Sequence, residues 1–307
     1  MLAYGVRIGQ KAERGPVVTV GRLDTARAAA GWRHINVHGA GNALTPDGTM
    51  LVTGPPLSLT SVTRPDISLL FSGDRPDLPF IHHLVKYPIR CDLEQRGAFL
   101  AHSAAVQVVP GACALFLGRS GSGKSTVFLE LVTEGFGGLG NDSTMIEASP
   151  QGVDAAAWPH VVRIGQDTAA HNSVLSALPE DWAPRSGIDG KFEAFFDRLD
   201  EVFGRRIVGE PGTVKAVFDL TIDTNGTDFH STRLSDASAG ELVERSLVQD
   251  RLPTGWLPSW TWEPDFDGIR SVGERLVRES AFYRLEIGVG DPSWPKRLGE
   301  RLREIVR

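Results

Sequence analysis

The chain has 307 residues, of which 41% are hydrophobic and 23% charged. This composition is typical of a globular protein and not of a disordered one, and the length allows one large domain or two smaller ones. The formal net charge of −6 and the sequence pI near 5.8 argue against a broad surface for nucleic acid or anionic membranes. We therefore expect neither nucleic acid nor a membrane among the partners.

The cysteines and the N-terminus favour a cytoplasmic protein. Cys91 and Cys113 are the two cysteines and lack CxxC spacing, which argues against a disulfide framework and against a zinc knuckle. The first residues lack the apolar core of a signal peptide, because Arg7, Lys11 and Glu13 interrupt them. No apolar run approaches the ~18 residues that a membrane span needs.

Short β-like segments separated by glycine, proline and aspartate fill the N-terminal quarter of the chain. The predicted strands are 2–8, 17–22, 32–37, 49–53 and 67–71. They predict a small β-rich domain over residues 1–77, which ends in the Pro- and Asp-rich stretch 74–77, and a second domain over residues 78–307. A segment with helical spacing, 80–95, opens that second domain.

Strands and helices are both predicted from residue 97 onwards. The predicted strands are 98–108, 113–117, 142–147, 153–157 and 214–222, and the predicted helices are 126–133, 192–203 and 239–247. A strand and a helix over 282–306 complete the chain.

The strongest motif lies between the predicted strand 113–117 and the predicted helix that follows it. Residues 118–125 fit GxxxxGK[ST], the P-loop or Walker A motif. Its glycines let main-chain N–H groups surround phosphate oxygens, the lysine reaches the β- and γ-phosphates, and the final hydroxyl binds Mg²⁺. The residues predicted to bind ATP are Gly118, Ser120, Gly121, Ser122, Gly123, Lys124, Ser125 and Thr126.

A second glycine motif is rejected on its context. Residues 135–140 contain GxGxxG, which in a dinucleotide site follows a strand and opens a helix. Here the motif follows a predicted helix and leads towards a strand, so we interpret it as a turn.

The magnesium ion of a P-loop protein needs a second, acidic ligand, and two residues are candidates. Asp142 lies 18 residues after Lys124, and Asp219 ends the apolar run 214–219. Asp219 would suit a small GTPase or a transporter-type ATPase. Transporter ATPases carry an LSGGQ signature ahead of their acidic strand. The nearest counterpart here, 234–238, matches that signature poorly and follows Asp219 instead of preceding it.

The Asp142 alternative coincides with a family resemblance. Residues 102–106, 115–125, 129–132 and 135, followed by Asn141 and Asp142, resemble the HPr kinase/phosphorylase family. The shared pattern is a strand bearing histidine, a P-loop reading GxSGxGKS, helix residues LELV, a glycine and a paired acidic site. The spacing from the lysine to that pair agrees without gaps. The later segments resemble the broader HPr-kinase-like proteins of peptide-tailoring and other biosynthetic contexts. The N-terminal domain does not visibly match that of the family's protein-kinase member.

The resemblance implies an α/β fold with a mixed sheet, shared with phosphoenolpyruvate carboxykinase, and a tendency to form homo-oligomers. It implies that Lys124 and Ser125 hold phosphate and Mg²⁺, that Asp142 is the metal-binding or catalytic carboxylate, and that His102 lies beside the phosphates. The chain departs from the family at Asn141, where the family has its first aspartate. An asparagine can bind a metal or orient a hydroxyl, but it cannot accept a proton.

These observations predict a Mg-ATP-dependent kinase whose acceptor is a hydroxyl of a peptide, a protein or a small biosynthetic molecule. The catalytic residues are predicted to be Asp142, His102 and Lys124, and the metal ligands Ser125, Asp142 and Asn141. Two alternatives remain open: an ATPase or switch that uses water, and a scaffold that binds nucleotide without turnover. The sequence does not separate ATP from GTP.

Three further features of the sequence are weighed as parts of a site. Lys191 in a glycine-containing segment, and the pair Arg205 and Arg206 in a mobile lid, could each contact phosphate. Three tryptophans in a Pro-rich loop could grip an acceptor or pack a small core; they are Trp256, Trp260 and Trp262.

Overall fold

The computed structural model describes Arg90 and residues 93–158, 161–184, 190–248 and 265–306, together with six strands between residues 18 and 71. The chain divides into two compact units. The predicted strand 2–8, the domain boundary at 77/78, the helical segment up to residue 89 and the three tryptophans lie outside the described residues.

The smaller unit contains a six-stranded sheet. Its strands are β1 (Val18–Arg22), β2 (Arg33–Val37), β3 (Ala40–Leu44), β4 (Met50–Thr53), β5 (Ser58–Thr63) and β6 (Asp66–Phe71). Their order in the sheet is β1-β6-β5-β4-β3-β2, and the β1–β6 pair is parallel whereas the others are antiparallel. Four of the predicted strands are present here, whereas the prediction missed β3 and β5.

The larger unit is built on a mixed sheet of nine strands. They are β7 (Ala98–Ala101), β8 (Ala104–Val109), β9 (Ala112–Leu117), β10 (Gly137–Gly140), β11 (Thr144–Ser149), β12 (Gly152–Ala157), β15 (Gly212–Asp223), β16 (Phe229–Arg233) and β17 (Ala281–Gly288). Two further strands, β13 (Val162–Ile164) and β14 (Phe192–Ala194), form a separate antiparallel ribbon. The mixed α/β architecture agrees with the predicted fold class.

Strand β15 joins the two parts of this sheet. Its first residues pair with β12, and its later residues lie parallel to β9 on one side and to β17 on the other. On the β9 side the sheet continues antiparallel through β8 to β10. On the β12 side it continues through β11 to β7, so β15 has neighbours along nearly its whole length.

Helices cover both faces of the sheet. They are α1 (Lys124–Thr133), α2 (Gln166–His171), α3 (Phe196–Phe203), α4 (Asp236–Val243), α5 (Phe266–Glu279) and α6 (Trp294–Val306). Side chains alternate along β9: Ala114 and Phe116 pack in the core that holds α1 and α6, and Leu115 and Leu117 in the core that holds α4 and α5. Because both faces are buried, β9 reads as a continuous apolar run.

Local structure departs from the sequence predictions, for example in three of the predicted segments. The predicted strand 98–108 is two strands separated at His102 and Ser103, where the Ser103 hydroxyl donates to the Ala101 carbonyl. The predicted helix 192–203 begins as strand β14, because its first residues pair with β13. The rejected glycine motif is a turn only at Gly135, since Gly137–Gly140 is strand β10 and pairs with β8.

Helix α5 was missed by the prediction, although Ile269, Val272 and Leu276 give it a buried face at helical spacing. No helix among the described residues is long and apolar enough to cross a membrane.

We predict that the Cys113 thiol resists alkylation until the protein unfolds. Cys113 is fully buried in β9, and burial, with the charge of Asp154 adding to it, raises its pKa to about 12. Only the thiolate reacts with iodoacetamide. Peptide mapping by mass spectrometry should find the Cys113 peptide unmodified in buffer and modified in urea, along the same transition as the far-UV circular dichroism. Labelling at equal rates in both conditions would contradict the buried position.

Candidate functional site

The loop of residues 118–123 connects β9 to α1, the strand-loop-helix context that the motif requires. Helix α1 begins at Lys124, and Gly123 is its N-cap residue. Three loop residues have positive φ: Gly118 at 143°, Gly121 at 81° and Gly123 at 94°. Residues with a Cβ rarely adopt these angles. The main-chain path therefore depends on glycine at each of the three positions.

Strand β15 approaches this loop closely. A Cβ at Gly118 would lie 2.9 Å from the Leu220 carbonyl oxygen, and a Cβ at Gly123 would lie 2.2 Å from the Ile222 Cδ1 atom. A Cβ at Gly121 would meet no atom within 4 Å. The glycines at 118 and 123 are thus required by contact with β15 as well as by φ, whereas Gly121 is required by φ alone.

The Lys124 side chain folds back onto the loop. The residue is only 6% exposed, and its Nζ donates to the carbonyl oxygens of Gly118 at 2.8 Å and Arg119 at 3.0 Å. A charged ammonium is costly to bury unless it is hydrogen-bonded. These carbonyls hold the positive charge against the loop, where it is placed to meet an anion.

The N-terminus of α1 has no acidic competitor for an anion. No side chain caps the helix, and its first turn contains no acidic residue. The first amides of a helix need acceptors and form the positive end of its dipole. The Ser122 hydroxyl is buried without a hydrogen-bond partner. Together with Lys124, these donors fit the oxygens of a polyphosphate.

The strand register brings the second part of the predicted site to the same end of the sheet. Ala104 pairs with Phe116 and Ala105 pairs with Gly140, so the chain before β8, after β9 and after β10 leaves the sheet at one end. These three segments carry His102, the glycine loop 118–123 and Asp142. Two strand spacings separate β10 from β9, which is about 10 Å.

His102 and Asp142 lie side by side in this region. The distance between His102 Nδ1 and Asp142 Oδ1 is 3.6 Å, and the two side chains are 34% and 42% exposed. Both residues lie in bends between strands, whereas the sequence predicted each of them on a strand. The bends leave both side chains accessible to a ligand at the sheet end.

Asn141 is held in one orientation by its amide nitrogen. The residue is 2% exposed, its Nδ2 donates to the Arg163 carbonyl at 3.2 Å, and its Oδ1 is buried without a hydrogen-bond partner. Most buried acceptors in folded proteins have a partner. The unpaired oxygen fits a metal ion or a hydroxyl donor, which are the two roles expected for an asparagine at this position.

The predicted metal ligands contain a single carboxylate. Among the described residues, no group of three or more His, Cys, Asp or Glu side chains is arranged to hold a metal ion. Magnesium is commonly held by one or two carboxylates together with water and substrate phosphates. Ser125, Asn141 and Asp142 fit that type of site.

Two sequence candidates have other partners. Asp219 accepts a hydrogen bond from Arg245 at 3.1 Å. Arg205 was weighed as part of a lid, but its guanidinium donates to the Val132 carbonyl at the C-terminal end of α1, the end opposite the glycine loop 118–123. A cation there compensates the helix dipole.

The β13–β14 ribbon and α2 flank the site, and their contacts with it were not predicted from the sequence. Thr168 in α2 shares a hydrogen bond of 3.0 Å with Thr126, so this predicted phosphate ligand is turned towards α2. The Arg163 carbonyl in β13 orients Asn141. Ser120 is exposed in the loop, and Ser125 is partly buried. Main-chain groups and short polar side chains make these contacts, so no sequence motif predicts them.

Comparison with known proteins gives a weak structural similarity and no match in sequence. No protein-family model matches the chain, and no curated protein matches it. Among solved structures, the Hpr(Ser) kinase/phosphatase from Coxiella burnetii is similar, with 10% sequence identity and a TM-score of 0.33 over 67% of this chain and 94% of that one. At this TM-score and identity, the similarity carries no argument about the fold or the function of this chain.

We predict that Gly123→Ala destabilises the protein more than Gly135→Ala does. The two glycines have φ of 94° and 92°, so the backbone strain is matched at about 1 kcal/mol. Only the Cβ at residue 123 would also meet Ile222, because nothing lies within 4 Å of a Cβ at residue 135. Urea unfolding measures the difference in the free energy of unfolding.

Calorimetry with Mg-ATP measures nucleotide binding by the same two glycine variants. Gly123→Ala should weaken nucleotide binding, whereas Gly135→Ala, at the far end of α1, should bind as the wild type does. Equal effects of the two variants on stability and on binding would show that β15 does not shape the loop.

Proposed function

We propose that this protein is a Mg-ATP-dependent kinase that transfers the γ-phosphate to a hydroxyl of a peptide, a protein or a small biosynthetic molecule. One observation carries the proposal: the same end of the sheet holds a glycine loop with a buried lysine, a His–Asp pair and a buried asparagine oxygen without a partner. Anion-binding groups and a proton acceptor are the two components that phosphoryl transfer requires.

Different residues of the chain would bind the phosphates and the metal ion. The loop amides and Lys124 would hold the β- and γ-phosphates, and Ser125 and Asp142 would hold Mg²⁺ with Asn141 as a neutral ligand. Magnesium, when bound, neutralises negative charge on the phosphates. Lys124 Nζ has three N–H donors and gives two of them to loop carbonyls, so it would exchange at least one of these bonds to contact both phosphates.

The chemical step is a displacement at phosphorus. The acceptor oxygen forms a bond to the γ-phosphorus while the bond from that phosphorus to the β,γ-bridging oxygen breaks and ADP leaves. The proton of the hydroxyl passes to the His102–Asp142 pair, whose nearest atoms lie 3.6 Å apart, and the imidazole is the acceptor because the carboxylate would hold Mg²⁺. Asn141 cannot take this proton. A loose transition state gains most from positioning, so one carboxylate suffices.

Water is the second candidate acceptor. The His102 and Asp142 side chains are about one-third or more exposed, so solvent reaches the proposed base as readily as a small alcohol does. A protein that used water would be an ATPase or a nucleotide-dependent switch built on the same groups. The two functions differ in the product that receives the phosphate.

We predict that Lys124→Ala and Asp142→Asn each lower the turnover of ATP by at least a hundredfold, the scale seen when one preorganised group is removed from a transition state. Asp219→Asn, which removes a carboxylate charge from the neighbouring strand β15, should cost at least tenfold less than Asp142→Asn. Release of ADP measures turnover, and thermal unfolding controls for stability. The reverse order of the two aspartate variants would overturn the assignment of Asp142.

The acceptor is tested with a panel of hydroxyl-bearing peptides and small alcohols incubated with Mg-ATP. A kinase gives a mass increase of one phosphate on at least one acceptor and slow ATP loss without it. Steady release of inorganic phosphate with no phosphorylated acceptor favours the ATPase. Nucleotide binding without turnover favours a scaffold.

A further inference from the structure

The ion pair between Asp219 and Arg245 lies beside the phosphate loop. Asp219 pairs in register with Leu117, the last residue before Gly118. The next residue of the strand, Leu220, presents its carbonyl oxygen 2.9 Å from the position of a Cβ on Gly118. Arg245 Nη2 donates to Asp219 Oδ1 at 3.1 Å. The guanidinium is therefore anchored one residue from the point where β15 touches the loop.

The pair lies on the face of the sheet opposite α1. Val217 packs in the core with α4 and α5, and Asp219 follows it by two residues, so both side chains point to that face. Phe218 and Leu220 point to the face that holds α1. Arg245 therefore approaches the end of the sheet from the face that α4 and α5 cover, opposite the face that holds α1.

A π-helical turn presents Arg245. Helix α4 ends at Val243, and Glu244–Val248 continues as a π-helix whose Leu247 is anchored in the core. Such turns are rare and recur at functional sites. The turn also adjoins β7, the strand that leads into His102. Arg245 thus lies between the strand before His102 and the strand that contacts the loop.

The ion pair is partly accessible to a ligand. Arg245 is 40% exposed and Asp219 is 25% exposed. Ion pairs between exposed side chains contribute about 0–1 kcal/mol to the free energy of unfolding, so this pair adds little to stability. A guanidinium has five N–H donors in a fixed fork, and the bond to Asp219 uses one of them.

We propose that Arg245 binds the terminal phosphoryl group of the nucleotide, and that Asp219 is the positioning residue that aims the guanidinium at it. This inference rests on the proposed function, because it requires a triphosphate in the loop. Lys124 and Arg245 then contact the phosphates from opposite faces of the sheet. An arginine fork matches the equatorial oxygens that carry the charge in the transition state.

The test compares two nucleotides that differ in the terminal group. Calorimetry in Mg²⁺ measures the dissociation constants of ADP and of AMP-PNP, a non-hydrolysable ATP analogue, for the wild type, Arg245→Met, Arg245→Lys and Asp219→Asn. We expect Arg245→Met to weaken AMP-PNP binding about tenfold while ADP binding changes less than twofold. Arg245→Lys should recover part of the loss, since it keeps the charge without the fork, and Asp219→Asn should show an intermediate loss.

Arg270→Met is the matched control. Arg270 is an exposed arginine that lies 4.0 Å from Glu244, the residue next to Arg245, and its removal subtracts the same charge from the same surface. Both nucleotides should bind this variant as they bind the wild type. Equal weakening of ADP and AMP-PNP in Arg245→Met, no weakening of either, or the same loss in Arg270→Met would overturn the proposal. A wild type that binds neither nucleotide would instead refute the proposed function.

Discussion

The contact between strand β15 and the glycine loop 118–123 is the constraint on which the rest of the site depends. Leu220 and Ile222 occupy the space that side chains at residues 118 and 123 would need. Glycine at these positions lets the central strand press against the loop and fix its path. The loop then positions Lys124 on its own carbonyls and directs the first turn of α1 towards the end of the sheet.

The mixed sheet gathers chemistry from distant parts of the chain because several strands end at one place. Antiparallel pairing of β8 with β9 and with β10 brings His102 and Asp142 to the end of the sheet where the loop begins. Parallel pairing of β9 with β15 brings Asp219 there as well. The two buried cores on either side of the sheet hold these strands in place.

The sequence was most informative where a local rule decides the structure. The strand, loop and helix around residues 112–133 follow from an apolar run, three obligatory glycines and the lysine that follows them. The partners of Asn141 and Asp219 could not be read in this way, because Arg163 and Arg245 lie more than 20 residues away and neither lies in a motif. Strand β14 was missed for a related reason: pairing with β13 outweighed a helical pattern of apolar residues.

The central claim is that a magnesium ion is shared between a triphosphate in the loop and the carboxylate of Asp142. The direct measurement is the affinity for ATP with and without Mg²⁺, determined by calorimetry for the wild type and for Asp142→Asn. A shared ion predicts that Mg²⁺ strengthens ATP binding in the wild type and does so much less in the variant, while binding without metal is not weakened. No uptake of ATP by the folded wild type, or an identical effect of Mg²⁺ on both proteins, would contradict it.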